Sequence, residues 1–347
     1  MTLAAAQVEL AHRGEFDPGV AHAMNMGIGP SDVHIEQALS GFAVGFSNDD
    51  MIADDVLPVL PVKKESDKYW VHDKYRAFNI ARTNIASQRG RPGEANTSLS
   101  KSQYATEDYG LMGFVSQSTI NNADSPLDPQ MIEVETIMSF LYLAREVRVS
   151  DIVFDAANYA SNHATLAGAD QWDNASSDPV KKVQMALDTC LVRPNVAVIG
   201  LDTFRALQSN TRLRAYIESR AATKFGATDM RPTEAMLADL FEVERVIVPH
   251  ARFNEANEGD SVSLSRVWNP KSAAFIRVEK SPSPQKTGTF GYTFRLSDPA
   301  TPAFAVQTWF DRAPGRSGGV WVKVTHADAE KVIAGGDGGY LFESCIA

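Results

Sequence analysis

Cysteine is almost missing from this chain. Only Cys190 and Cys345 occur in 347 residues. No disulfide framework can hold such a fold, and a reducing cytoplasm suits it as the place of assembly. No apolar run approaches the roughly 20 residues that cross a bilayer, so no membrane partner is expected. The N-terminal stretch MTLAAAQVELAHRGEF lacks a basic start followed by a long apolar segment, so no secretory signal is expected. Without that route, the acceptor-like triplets Asn96-Thr97-Ser98 and Asn174-Ala175-Ser176 carry no meaning. Positive charge is also short: 33 Lys and Arg stand against 43 Asp and Glu, a net of −10. A surface that wraps nucleic acid neutralises phosphates with cations, and this composition argues against one. It is compatible with a container, whose acidic wall would repel packed DNA and leave it mobile.

Motifs for chemistry are missing too. His12, His22, His34, His72, His163, His250 and His326 are scattered, with no HExxH and no Cys/His spacing suited to zinc. Asp49-Asp50 and Asp54-Asp55 are adjacent pairs whose side chains point apart on an extended chain. They read as helix caps or arm contacts, not as a metal site. Cys190 follows a helical stretch with no cationic cluster to activate it and reads as a small core residue. Val196 to Gly200 followed by Asp202 imitates the start of a nucleotide fold, but one glycine does not make the dinucleotide signature. Gly315-Arg316-Ser317-Gly318-Gly319 lacks the lysine and spacing of a phosphate loop. No catalytic residue, metal ligand or cofactor is expected, and the chain reads as no enzyme.

What is present begins with a charge split. From Lys63 to Lys101 nine basic residues (Lys63, Lys64, Lys68, Lys74, Arg76, Arg82, Arg89, Arg91, Lys101) face four acidic ones. That stretch carries about +5 and the remainder about −15. It reads either as a solvated basic loop or as an arm lying on an acidic neighbour, where complementarity would steer docking and fix register. Tyr69, Trp70, Tyr75 and Phe78 interleave with these cations. Stacking on single-stranded nucleic acid is one reading; contact with a neighbouring subunit is favoured, given the overall acidity. Lys63, Lys64, Lys68, Trp70, Lys74, Arg76, Arg82, Arg89, Arg91 and Lys101 are therefore the candidate subunit contacts.

Apolar content of 44% and charged content of 22% support a sizeable core, and the length suggests one large or two medium domains. Residues 1–48 have little sustained pattern beyond one short helix over Asp32 to Leu39, and read as an extended arm. Pro58 and Pro61 impose extended backbone. Lys68 to His72 reads as a strand, Arg89-Gly90-Arg91-Pro92-Gly93 as a breaker, and Leu99 to Tyr104 and Tyr109 to Ile120 as returning strands. The whole is a long two-stranded excursion with a basic tip. Such a hairpin is marginal in water by itself, so it should rest on a neighbour.

Asp128-Pro129 starts a helix without Gly or Pro until about Tyr159, with a break available at Ser150-Asp151. Val134, Ile137, Leu141 and Ala144 share one face, broadened by Phe140, Leu143 and Val147. Residues 168–178 read as a polar linker. Asp178-Pro179 starts a helix to about Cys190, Val196 to Ile199 is a buried strand, and Asp202 caps a helix through Leu207. Thr233 to Leu240 is helical and Val243 to Val248 a strand. Ala273 to Val278, Gly291 to Leu296, Ala303 to Phe310 and Gly319 to Thr325 are strands. Gly335 to Gly339 turns into Tyr340-Leu341-Phe342.

This order resembles the Hong Kong 97-type fold of tailed-phage major capsid proteins. IADDVLPVLPVKKESDKYWVHDK resembles the start of that family's extended loop and SPLDPQMIEVETIMSFLYLARE its spine helix. NVAVIGLDTFRAL and MLADLFEVERVIVPHARFNEANEGD resemble its axial domain, and GYTFRLSD and GYLFESCIA its closing segments. The resemblance covers most of residues 45–347. It implies an α+β subunit with an N-terminal arm (1–48), an extended β-hairpin loop and its base (49–120), a peripheral domain with the spine helix (121–174), an axial domain (175–285) and closing strands of both domains (286–347). It also implies self-assembly as hexamers and pentamers into an icosahedral virion shell. Portal and scaffolding proteins, and decoration proteins, are the implied partners, with DNA enclosed without sequence-specific contacts. Some members cross-link through Lys and Asn; no such pair is assigned here. An encapsulin-like compartment would keep the fold and change the cargo. A soluble α/β enzyme with an unrecognised site is the remaining alternative.

Overall fold

The computed structural model describes residues 34–35, 50–71, 100–123, 127–222, 231–256, 261–281, 288–298 and 302–347. The chain divides into two units, one of Met1–Val44, Leu111–Ile137 and Ala305–Val324, the other of Gly45–Gly110, Met138–Phe304 and Thr325–Ala347.

The larger unit is organised by a five-stranded sheet. Its spatial order is His163–Thr165, Gly339–Glu343, Ala273–Ile276, Val196–Ile199, Arg245–Ile247. The two central strands, AAFI and VAVI, are buried at every position. A sheet covered on both faces needs such continuous apolar runs. Side chains alternate across the pleat, and the register Ala273↔Ile199 and Ala274↔Val198 sorts them into two cores. Ala197, Ile199, Ala273, Phe275 and Phe342 face one core, with residues of the helices Pro179–Thr189, Leu201–Ser209, Thr211–Ala222 and Glu234–Phe241. Val196, Val198, Ala274, Ile276 and Leu341 face the other, with Val149 and Val153 of the long helix, Tyr159, Trp268 and Phe290.

Local chemistry starts these helices. Asp178 accepts from Lys181 N at 3.2 Å before Pro179. Thr233 accepts from Met236 N at 3.4 Å. The helix Leu201–Ser209 is capped by Gly200 and not by Asp202. A Cβ at position 200 would strike the backbone of Asn269 and Pro270. That close approach lets Thr203 N and Oγ1 each reach Pro270 O at 3.0 Å. Residues 168–178 are more than a linker: Trp172 is fully buried, and Asn210 donates to its carbonyl at 3.0 Å.

The long helix runs Pro129–Val153 and is followed by a short 3₁₀ turn, Ala156–Tyr159. Asp128 accepts from Gln130 N at 2.9 Å, as expected of its capping position. Ser150 does not break the helix; its hydroxyl donates to Val267 O at 3.0 Å and fastens it. The buried face differs from the apolar pattern. Val134, Ile137 and Leu141 are buried, but the face continues through Arg145, Glu146 and Val149, while Ala144 and Phe140 are exposed. Charged residues take the inner positions because partners wait there, as described below.

In the larger unit, Val59–Val62 pairs in parallel with Gly291–Leu296, which pairs antiparallel with the second half of Gly319–Val332. That last strand is seven residues longer than the alternation through Thr325 predicted. In the smaller unit, Ala305–Asp311 and the first half of Gly319–Val332 are neighbours, and His34–Ile35 pairs with Gln307 and Thr308. The helix expected over Asp32 to Leu39 is thus a strand where it is described. An edge strand offers His34 and Ile35 backbone partners that an isolated short helix lacks. Strand Glu107–Ser116 ends at Ser116, whose hydroxyl accepts from Thr119 N at 3.1 Å and starts a helix, Gln117–Asn122, where a strand was expected through Ile120.

Candidate assembly surface

The extended loop leaves the larger unit through one helical turn, Ala53–Val56. A single turn cannot sustain itself. Its free amides go to Glu146, whose two oxygens accept from Ile52 N and Ala53 N at 2.9 Å each. Trp268 Nε1 donates to the same carboxylate at 2.6 Å. Burial pushes the Glu146 carboxyl above its ordinary range, against the pull of these three hydrogen bonds and of Arg145. The two acidic residues of the turn are claimed from opposite sides. Asp54 accepts from Arg145 at 2.5 Å. Asp55 accepts from Arg245 at 2.9 Å and lies 3.4 Å from Lys280 Nζ. Burial would raise the Asp55 carboxyl, but these cations hold it below the usual range. The pair expected to serve caps or arm contacts therefore fixes the base of the loop.

Beneath the base lies a buried charge network. Arg295 Nε and Nη2 each donate to Asp328 at 2.7 Å. Arg145 adds a hydrogen bond to Thr293 Oγ1 at 3.2 Å and approaches Asp328 at 3.9 Å. Arg148 pairs with Glu330 at 3.0 Å and lies over the Tyr109 ring at 3.9 Å. Burial would raise the Asp328 carboxyl, but Arg295 foremost, then His326 and Arg145, hold it below the usual range. None of this network was singled out from the sequence. The signal was there: Arg145 continues the 134, 137, 141 spacing of the inner helix face.

His326 is enclosed between the rings of Tyr109 and Phe304, and both its ring nitrogens lack hydrogen-bond partners. Burial pushes its pKa down from 6.5 to about 4; Asp328 opposes this, and Arg295, Arg148 and Arg145 reinforce it. Between those two values the unfolded chain takes a proton that the folded chain refuses. Stability therefore falls as pH drops from about 6.5 towards about 4, and is retained above that window. Urea midpoints at pH 7 and pH 5 should show wild type losing about 2 kcal/mol more than His326→Leu. Glu146 acts in both chains, so it cancels from the difference. Equal losses in the two chains would exclude His326 as the source.

The hairpin itself consists of Ser66–Val71 and Ser100–Ala105, antiparallel, in the register Asp67↔Tyr104 to Val71↔Ser100. One face is held: Tyr104 stacks on Phe294 at 4.5 Å between ring centroids and Tyr69 tilts onto it at 5.3 Å. Tyr104 also donates to Lys64 O at 3.2 Å. The pleat sends Lys68 and Gln103 to the opposite face. Among the candidate contacts, Lys63, Lys64, Lys68 and Lys101 are exposed on or beside this stem, and Lys64 pairs with Asp67 at 3.2 Å. Trp70 stands across from Lys101 in the register. Lys74, Arg76, Arg82, Arg89 and Arg91 lie outside the described residues.

No group of His, Cys, Asp and Glu suited to a metal ion occurs among the described residues. No helix is long and apolar enough to cross a membrane among them either. Both cysteines are free, and burial raises the Cys190 thiol to about 11.

No protein-family model matches the chain. It is 34% identical over 315 residues to the major capsid protein of Pseudomonas phage JBD67, covering 90% of this chain and 97% of that one. It is 24% identical over 271 residues to the major capsid protein of Burkholderia phage BcepMu, covering 75% and 83%. Among solved structures it is similar to a phage-related protein from Bordetella bronchiseptica RB50, with a TM-score of 0.67, 22% identity and 90% and 97% coverage. It is also similar to the capsid of cyanophage P-SCSP1u, with a TM-score of 0.53, 9% identity and 84% and 88% coverage.

Proposed function

The chain belongs to the phage major capsid proteins and carries their Hong Kong 97-like fold, and we propose that it is the subunit that closes, as hexamers and pentamers, into the icosahedral virion shell around the double-stranded DNA of a tailed phage. The observation that carries this reading is the hairpin. Its stem is fixed at the base by Glu146, Arg145 and Arg245 and by two tyrosines on Phe294. Beyond Val71 the chain runs 28 further residues before Ser100, mostly polar and basic. A stem so firmly mounted, leading to a segment with so little apolar content, suits a reach onto another subunit.

In this reading residues 1–48 are an arm, 49–120 the extended loop and its base, 121–174 the peripheral domain with the spine helix, 175–285 the axial domain, and 286–347 their closing strands. Lys63, Lys64, Lys68, Trp70, Lys74, Arg76, Arg82, Arg89, Arg91 and Lys101 form the clasp. Portal and scaffolding proteins join the assembly, and decoration proteins have the outer surface open to them. The role is structural and not enzymatic.

Purified protein examined by light scattering and negative-stain microscopy should give hollow shells or capsomers in the megadalton range. A monomer that persists across salt and protein concentration, even beside its scaffold, would overturn the shell reading. The clasp has its own test. Arg82, Arg89 and Arg91 changed together to Glu should cut shell yield by about tenfold or more, since each 1.4 kcal/mol of contact energy is a factor of ten. The subunit should keep its circular dichroism and melting temperature. Shells at normal yield from that variant would remove the clasp.

A further inference from the structure

The chain leaves the larger unit after Gly110 and again after Phe304, and it returns at Met138 and at Thr325. Three rings meet at these passages. Tyr109 stands one residue before the first exit, Phe304 is the last residue before the second, and His326 follows Thr325 at the second return. The His326 ring stacks on Tyr109 at 5.5 Å between centroids and tilts against Phe304 at 5.1 Å. Phe304 in turn lies against Tyr142 of the long helix at 5.6 Å. One imidazole therefore joins segments that are distant in sequence. The strand Glu107–Ser116, which leads back from the extended loop, depends on it most. Over residues 107–112 every residue is exposed except Tyr109. A single ring, with His326 against it and Arg148 over it at 3.9 Å, holds that stretch.

The site suits a neutral imidazole. Arg145 and Arg148 face it from the long helix and Arg295 from the strand Gly291–Leu296. The anions around it are already engaged. Asp328 Oδ2 lies 3.5 Å from His326 Nε2 without a hydrogen bond, and that oxygen accepts from Arg295 Nη2 at 2.7 Å. Glu330 pairs with Arg148 at 3.0 Å, and Asp54 with Arg145. Glu107 accepts from the Tyr109 hydroxyl at 3.0 Å. A proton on His326 would create a second buried N–H donor and a fourth cation, with no free carboxylate to take either.

We propose that His326 is an acid-operated latch: neutral, it packs Tyr109 and Phe304 together where the chain leaves the larger unit; protonated, it withdraws and frees the returning strand of the extended loop at Tyr109. The opening is local. The stem of the hairpin keeps its own hold, through Tyr69 and Tyr104 on Phe294. The latch is a property of the single subunit and does not depend on the shell reading.

Hydrogen exchange of the full-length, unassembled subunit tests it, expressed as protection factors so that the intrinsic effect of pH drops out. Between pH 7 and pH 5 the open form takes a proton that the closed form refuses. With the imidazole at its ordinary 6.5 when open and at about 4 when closed, protection over residues 107–112 should fall about twentyfold. That exchange should be insensitive to dilute urea, and the central strands Val196–Ile199 and Ala273–Ile276 should stay better protected at pH 5. In His326→Leu the fall should vanish. His326→Phe, which keeps the stacked ring and takes no proton, serves if the leucine chain does not fold. Residues 107–112 that exchange at pH 5 only with the central strands, and with the same urea dependence, would overturn the local latch; this outcome needs no variant. A twentyfold fall that persists in the variants would overturn His326 as its cause.

Discussion

Asp328→Ala should cost about 3–5 kcal/mol, because it strands buried cations. Asp328 is fully buried and lies directly across from Arg295 in the register of two central strands. Arg295 donates two hydrogen bonds to it, each 2.7 Å long. Arg145, also buried, approaches the same carboxylate. Removing the anion leaves two buried guanidinium groups without their shared carboxylate, beside His326, which has no hydrogen-bond partner of its own. A domain has about 5–15 kcal/mol in total, so the variant should be partly unfolded at ordinary temperature. Urea unfolding of the unassembled subunit, followed by tryptophan fluorescence, measures the loss. The comparison chain replaces both partners, Arg295→Met with Asp328→Leu. Two charges and their desolvation leave together, so it should lose markedly less than Asp328→Ala. A loss below about 1 kcal/mol for Asp328→Ala would place the network among weak surface pairs and contradict the burial argument.

That network also marks where the sequence could be read and where it could not. The strands announce themselves. VAVI and AAFI can only be covered on both faces, and GYTFRL alternates as a sheet element should. Asp128-Pro129 and Asp178-Pro179 locate helix starts because the capping chemistry is local. What resisted reading was non-local. Ala144 has the right spacing for the inner helix face and is exposed, whereas Arg145 is the residue inside. Only the partners Asp54, Thr293 and Asp328, some 90 to 183 positions away, make an inward arginine tolerable. A polarity pattern without those partners assigns the slot to alanine. Trp172 was lost the same way, hidden inside a polar string whose neighbours pack around it. The helix Thr211–Ala222 went unread because its arginines blur the apolar stripe, although Leu213 and Ile217 fill the core at a spacing of four.

The start of the long helix was only half legible. Leu127, Met131 and Ile132 look like the start of an amphipathic stripe until the structure shows Val134 and Ile137 taking the inner side. The excess of cations between Lys63 and Lys101 stands out in one dimension, because nine of them gather within a short stretch of an acidic chain.

Leu141→Pro should prevent the subunit from folding. Leu141 lies near the middle of the helix Pro129–Val153 and is buried. Proline there removes the amide that bonds the carbonyl of Ile137, and its ring collides with that carbonyl, a cost of about 3 kcal/mol or more. The lost leucine packing adds about 2–5 kcal/mol. The larger consequence lies one turn downstream. Arg145 and Glu146 must point inward together, one to Asp54 and Thr293, the other to Ile52, Ala53 and Trp268. A kink at position 141 swings that turn and unmakes both sets, which leaves buried charges unpaired and frees the base of the extended loop. Leu141→Ala separates the causes. It keeps the helix backbone and should yield a soluble, weaker subunit that still assembles at low temperature. Leu141→Pro should be recovered only as aggregate. Soluble Leu141→Pro protein with native circular dichroism and normal shells would show that the straight helix does not hold the loop base in place.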